Sequence, residues 1–249
     1  MKFVHKTYTH LNFYIIEDGA GVCVSDWKTV SEKWNYIRGF NKIYDDVKGL
    51  YLYTPDLMCV ELGYEMHVLP KVDKDDPKLV AFYNKIFDYD ADYKFPDFVF
   101  VEQSFPVDRI KNNDFDFMRS TSNIVGYENL FIKIHPRNRT NRSFSYGLSK
   151  PIECAWPFEV MLLNCNDEKK TFITVNSGSL ISSRVLFQQE IRTIFLYKAV
   201  TGAIHYPHST KIFTEYMDKF AEKYKSTNLI VPQTLEQYED ILMLIKKEL

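Results

Sequence analysis

Leu130-Phe131-Ile132-Lys133-Ile134-His135-Pro136 is a short apolar run that ends on a histidine and a proline. It is too short for a helix and suits a buried strand, and the proline ends it. Similar runs stand on either side. Phe98–Glu102 precedes it across a polar stretch with helical character. Thr171–Val175 follows it and stops at Asn176-Ser177-Gly178-Ser179. Further strands are predicted at Thr193–Lys198 and Leu229–Val231. Helices are predicted from Pro157 to Leu163, over 180–190, over 211–224, and after Thr234, where Leu235, Tyr238, Ile241, Leu242 and Ile245 share one face. Strands alternating with helices imply an α/β fold with a doubly wound parallel sheet. Ligands of such sheets sit beyond the carboxyl ends of the strands. His135 and Ser177 both fall at such ends, which predicts one crevice for the two.

The N-terminal part is less regular. Residues 11–16 form an apolar run closed by Glu17-Asp18-Gly19. Tyr51–Tyr53 and Met58–Leu62 are further strand candidates. Residues 69–78 are charged, bounded by prolines and poor in apolar groups, which suits a linker. A helix is expected over 77–87, with Leu79, Val80, Phe82, Tyr83 and Ile86 at helical spacing. The expected division is an N-terminal part with its linker over 1–90 and a regular α/β domain over 91–249.

Composition narrows the function. The 249 residues are 45% hydrophobic and 26% charged, values of a globular protein. The balance of 31 basic against 33 acidic residues argues against nucleic acid as a partner, because phosphate-held complexes need clustered positive charge. Glycine is scarce, and no GxGxxG or Walker loop occurs. No segment reaches the ~20 apolar residues of a membrane span, and the first ten residues lack a signal-peptide core. A cytoplasmic protein is expected, or one peripheral at the inner membrane. Cys23, Cys59, Cys154 and Cys165 form no CxxC and read as reduced, mostly buried thiols.

Four constellations can carry chemistry. Lys133 and His135 lie two apart, so an extended strand points them to one side, where a cation and an imidazole can bind and protonate a departing phosphate. The bland alternative is a turn with a surface histidine. Glu17-Asp18-Gly19 is an ordinary turn sequence, yet it also holds a carboxylate at a strand end as a general base. Ser177 and Ser179, with Ser182 behind them, suit either plain helix capping or a phosphate held by hydroxyls and helix N–H groups. Glu159 in the first turn of its helix is favoured there electrostatically, and can equally accept ribose hydroxyls. DxD pairs at Asp73/Asp75, Asp88/Asp90, Asp90/Asp92 and Asp114/Asp116 can hold a divalent metal, but arise by chance in an Asp-rich chain. His5, His10, His67, His205 and His208 show no ligand spacing.

The acidic-acidic-Gly motif at 17–19, the Lys-x-His-Pro motif at 133–136 and the serine motif at 177–179 occur in the order seen in bacterial sialyltransferases. With Phe98–Pro106, Pro157-Phe158-Glu159 and Val231-Pro232, the chain resembles glycosyltransferase family 52, the lipooligosaccharide sialyltransferases. Bacterial polysialyltransferases share the short motifs. The resemblance runs from Glu17 nearly to the C-terminus. It implies a two-domain GT-B-like fold and an inverting, metal-independent transferase without a cofactor. The donor would be CMP-sialic acid and the acceptor a galactose- or sialic-acid-terminated cell-surface glycan. It implies Glu17 as base with Asp18 assisting, and His135 on the CMP phosphate. Lys133 and Pro136 would line the cytosine end, Glu159 the ribose, and Ser177 with Ser179 or Ser182 the phosphate.

Two departures accompany it. Gly178 interrupts the hydroxyl pair of the serine motif. Met1 stands only sixteen residues ahead of Glu17, so a shortened acceptor half is expected. Some members of the resembled family place the base ahead of the His-Pro motif, where Asp114 and Asp116 are the candidates here. The alternatives are a metal-dependent transferase of sugar nucleotide diphosphates, with Asp114 and Asp116 in the nucleotide site, and a truncated, non-catalytic nucleotide-binding remnant.

Overall fold

The computed structural model describes residues 12–25, 47–90, 92–94, 96–149, 156–165, 167, 169–206 and 209–249. His5, His10, Leu11, Cys154 and His208, and residues 26–46, lie outside them. The chain divides into two compact units, 1–71 and 72–249. The division falls inside the 69–78 stretch, so the helix over 77–87 belongs to the second unit.

The second unit carries a five-stranded sheet of β4 (Phe98–Val101), β5 (Leu130–Lys133), β6 (Thr171–Thr174), β7 (Arg192–Phe195) and β8 (Leu229–Ile230). All neighbours are parallel, in the order β5-β4-β6-β7-β8. Strands covered on both faces can be apolar throughout, and β4 and β6 are buried at every position. The helices are α2 (Pro77–Phe87), α3 (Phe105–Asp108), α4 (Asp114–Val125), α5 (Arg142–Ser145), α6 (Phe158–Leu163), α7 (Gly178–Val185), α8 (Thr210–Lys223) and α9 (Leu235–Glu248). The chain steps from β4 outward to β5, then crosses back over β4 to β6. Right-handed crossovers therefore put α4 on one face and α6, α7 and α8 on the other. The strand order reverses between β4 and β6, and a doubly wound sheet opens its crevice at that point.

Packing follows from the sequence. In α9 the face of Tyr238, Leu242 and Ile245 is buried, and Thr234 caps the helix by accepting from Gln237 N. The Tyr238 hydroxyl meets Thr121 Oγ1 on α4 at 2.5 Å, tying the two helices together. In α7 the helix stops at Val185, before the expected 190, and Gln188 takes a left-handed φ of 52°. The apolar stripe of α2 is oriented differently from a core stripe: Phe82 and Ile86 are exposed, and none of its residues is buried.

The first unit holds a three-stranded parallel sheet, β1 (Phe13–Ile16), β2 (Val47–Leu52) and β3 (Glu65–Val68), in the order β1-β2-β3, with a short helix α1 (Gly21–Val24). Val22, Leu50, Leu52 and Leu62 make its core, with Ile15, Met58 and Val60 packed on. Met58–Leu62 is not a strand, contrary to expectation. Its alternating side chains Met58, Val60 and Leu62 pack on the core, and the third strand lies just beyond, at Glu65–Val68. Gly49 leaves room for the His67 ring on the neighbouring strand: a Cβ there would lie 2.8 Å from His67 Nε2 unless that side chain shifted.

Candidate functional site

In the first unit the interest lies at Glu17, directly after β1. Its N–H continues the ladder to Tyr51 O at 2.9 Å, and its carboxylate accepts from Tyr53 N at 2.8 Å. The residue is 8% exposed. Burial pushes the carboxyl above its ordinary value. The Tyr53 N–H, the Lys71 ammonium and the Thr54 N–H oppose that rise, and Asp18 adds to it. Asp18 itself is exposed. A desolvated carboxylate with a raised pKa is a better base than a solvated one. Cys23 lies near it, and burial together with the Glu17 charge pushes that thiol up to about 12. Cys23 and Cys165 are buried and Cys59 half-buried, all three free thiols.

In the second unit the carboxyl ends of β5, β4 and β6 gather the remaining candidates. His135 follows β5 and is half-buried. Its Nδ1 accepts the Arg137 N–H at 3.2 Å. Desolvation lowers its pKa, the Arg137 charge adds to this, and Asp108 and Glu102 oppose it. Pro136 is exposed in the turn. Lys133 Nζ donates to Trp156 O at 3.4 Å, which links β5 to the segment that opens α6.

Ser177 is the N-cap residue of α7 but makes no side-chain cap bond. Its own N–H is held by Thr174 Oγ1 at 3.1 Å. The first N–H groups of α7 have no helical carbonyl to bond and remain available to an anion. The Ser179 hydroxyl donates to Glu159 Oε1 at 2.7 Å. Its hydrogen is thus committed to Glu159 rather than open to an anion. Ser182 lies one turn further along α7, half-buried.

A buried ionic network absent from the sequence reading supports this edge. Glu102, at the end of β4, is 1% exposed. It accepts from Arg142 Nε at 2.7 Å and from Asn138 Nδ2 at 2.8 Å. Arg142 also pairs with Asp114. A second clamp joins Arg137 to both carboxylate oxygens of Asp108, at 2.9 and 2.8 Å. Ser104 and Tyr206 donate to the same carboxylate. These contacts pin the turn after β5 to the loop after β4. Charges paired across 28 to 40 residues leave no periodic signal in sequence.

This network engages Asp114 and Asp116, the alternative base and metal candidates. They open α4 rather than a loop. Asp114 is consumed by Arg142, and Asp116 pairs at the surface with Arg119, 3.3 Å away. Asp116 lines a groove of about 430 Å³ between α4 and α9, with Arg119, Ser120 and Glu239. Of the other DxD pairs, Asp73 and Asp90 each accept the N–H two residues on, as turn residues do. Among the described residues no three His, Cys, Asp or Glu side chains converge to hold a metal ion, and no helix is long and apolar enough to cross a membrane.

No protein-family model, no curated protein and no solved structure matches the chain.

Proposed function

We propose that the protein is an inverting glycosyltransferase of the sialyltransferase kind, moving sialic acid from CMP-sialic acid to a hydroxyl of a cell-surface glycan. What carries this reading is one arrangement: a histidine whose Nε2 has no partner among the described residues, His135, and a helix N-terminus without a side-chain cap, Ser177-Gly178, at the carboxyl ends of the two strands that flank β4. Two inter-strand spacings of ~4.8 Å separate such ends, a span a nucleoside monophosphate can bridge. The α7 amides and Ser177 take phosphate oxygens, Glu159 takes the ribose hydroxyls, and Lys133 faces the nucleotide from β5. Glu17 supplies the base of the first unit, with Asp18 beside it in sequence.

The test is transfer. The full chain is given CMP-sialic acid and a lactose-type acceptor, with and without EDTA. Sialylated product in both supports the proposal. No product from folded protein that binds CMP favours a second reading, a nucleotide-binding remnant. One observation supports that second reading: Tyr14 and Ile16 are exposed on β1, although parallel sheets are normally covered on both faces. Product only with metal would favour a donor carrying a sugar diphosphate.

A further inference from the structure

We propose that His135 works as a neutral imidazole with its proton on Nε2, donating a hydrogen bond to the leaving phosphate rather than a proton, and that Asp108 is the positioning residue that holds it so. The chemical role rests on the function proposed above; the state of the ring does not.

The geometry starts at Nδ1. It accepts the backbone N–H of Arg137 at 3.2 Å. A nitrogen that accepts cannot carry a proton, so the ring's proton sits on Nε2. Protonating the ring would set Nδ1–H against the Arg137 N–H, donor against donor. Among the described residues Nε2 has no partner, so its hydrogen is free for a ligand.

Arg137 does not wander. Its guanidinium grips Asp108 through both oxygens, and its Nη2 also donates to Ser104 Oγ at 2.7 Å. Tyr206 Oη adds a donor to Asp108 at 3.0 Å. On the other side Asn138 N donates to His135 O at 2.8 Å, and Asn138 Nδ2 is held by Glu102. The amide that reads Nδ1 is thus fixed by side-chain bonds on both flanks. The charged groups acting on the ring are Arg137, which disfavours the imidazolium, and Asp108 and Glu102, which favour it. Desolvation outweighs those two carboxylates, so the ring titrates below its ordinary value, in agreement with the geometry. The Arg137 charge is itself neutralised by Asp108, so it is not a free cation for phosphate.

The chemistry balances without an acid. The bond from the anomeric carbon to the phosphate oxygen breaks, and both electrons stay on that oxygen. The acceptor oxygen bonds the anomeric carbon, and its proton passes to a carboxylate base. A phosphate monoester leaves as an anion, so it needs a donor hydrogen bond in place, not a proton.

The test is a long-range proton–nitrogen NMR spectrum of the nitrogen-labelled full chain at neutral pH, with the His135 ring assigned by its absence in His135→Gln. The expected pattern is a neutral ring protonated on Nε2, with and without CMP, titrating below 6.5. An Nδ1–H ring, or an imidazolium at neutral pH, overturns the proposal. Asp108→Asn is expected to stay folded, to give exchange between tautomers, and to weaken CMP binding about tenfold. Should it fail to fold, Tyr206→Phe removes one donor to Asp108 from an exposed side chain and is expected to shift the ring in the same direction, more weakly. An unchanged ring in the folded variants overturns the role of Asp108. If the ring has the expected tautomer but the chain does not bind CMP, the donor assignment falls and the state of His135 stands.

Discussion

Ser179 donates its hydroxyl hydrogen to Glu159 across 2.7 Å, joining the first turn of α7 to the first turn of α6. Two helix N-termini therefore share one carboxylate. The bond also sets which oxygen of Glu159 remains open. In the proposed site Ser179 orients the ribose acceptor, and the phosphate is left to Ser177 and the α7 amides.

This division of labour can be measured. Glu159→Gln and Ser179→Ala should each weaken CMP binding by about 1 kcal/mol, and the double variant by less than the sum, because the two act through one contact. Calorimetric titration of the four proteins closes the cycle. Strict additivity would show that Ser179 touches the ligand directly.

Glu17 should trade stability for function. Burial raises its pKa above the unfolded value, so the folded state pays for the charge once the pH exceeds the folded pKa, and pays nothing below the unfolded one near 4.5. Glu17→Gln should then stabilise the first unit at pH 7, by roughly 0.5–2 kcal/mol. The gain should vanish near pH 4, while transfer is lost and CMP binding kept. Urea unfolding at both pH values, beside the transfer assay, checks it. A destabilised variant at pH 7 would mean that the bond from Tyr53 N outweighs the desolvation.

Arg142 is paired with two buried carboxylates, Glu102 and Asp114. Arg142→Ala leaves the buried Glu102 and Asp114 carboxylates without their cation and should cost about 3–5 kcal/mol of unfolding free energy. Asp114→Asn should lower stability, not transfer by the molecules that remain folded. A variant that folds normally yet cannot transfer would return Asp114 to the list of bases.

Phe172 is fully buried on β6, against Phe158 of α6. Phe172→Ala should cost about 3–5 kcal/mol, through lost burial and an unfilled cavity beneath the crevice. Chemical denaturation of the variant measures it; a loss below ~1 kcal/mol would mean the sheet relaxes around the gap.

The second unit was legible because its strands are continuous apolar runs that end on turn residues, and a parallel sheet covered on both faces demands such runs. The His135 and Ser177 edge followed directly, since both lie one or a few residues past a strand. The first unit was harder. Glu65-Met66-His67-Val68 forms the edge strand β3, and its charges hide it. Met58, Val60 and Leu62 pack on the core from outside the three strands, so the period of two appears without a strand. What the sequence could not display is the pairing of Arg142 with Glu102 and Asp114, or of Arg137 with Asp108. Each joins segments that follow β4 and β5 and that only the strand order brings together.

The most direct measurement is a calorimetric titration of the full chain with CMP, beside His135→Ala, with and without EDTA. Binding that survives EDTA and weakens at least tenfold in His135→Ala is the expected result. Absence of binding by folded protein, or binding that His135→Ala leaves unchanged, would contradict the nucleotide site at the ends of β5 and β6.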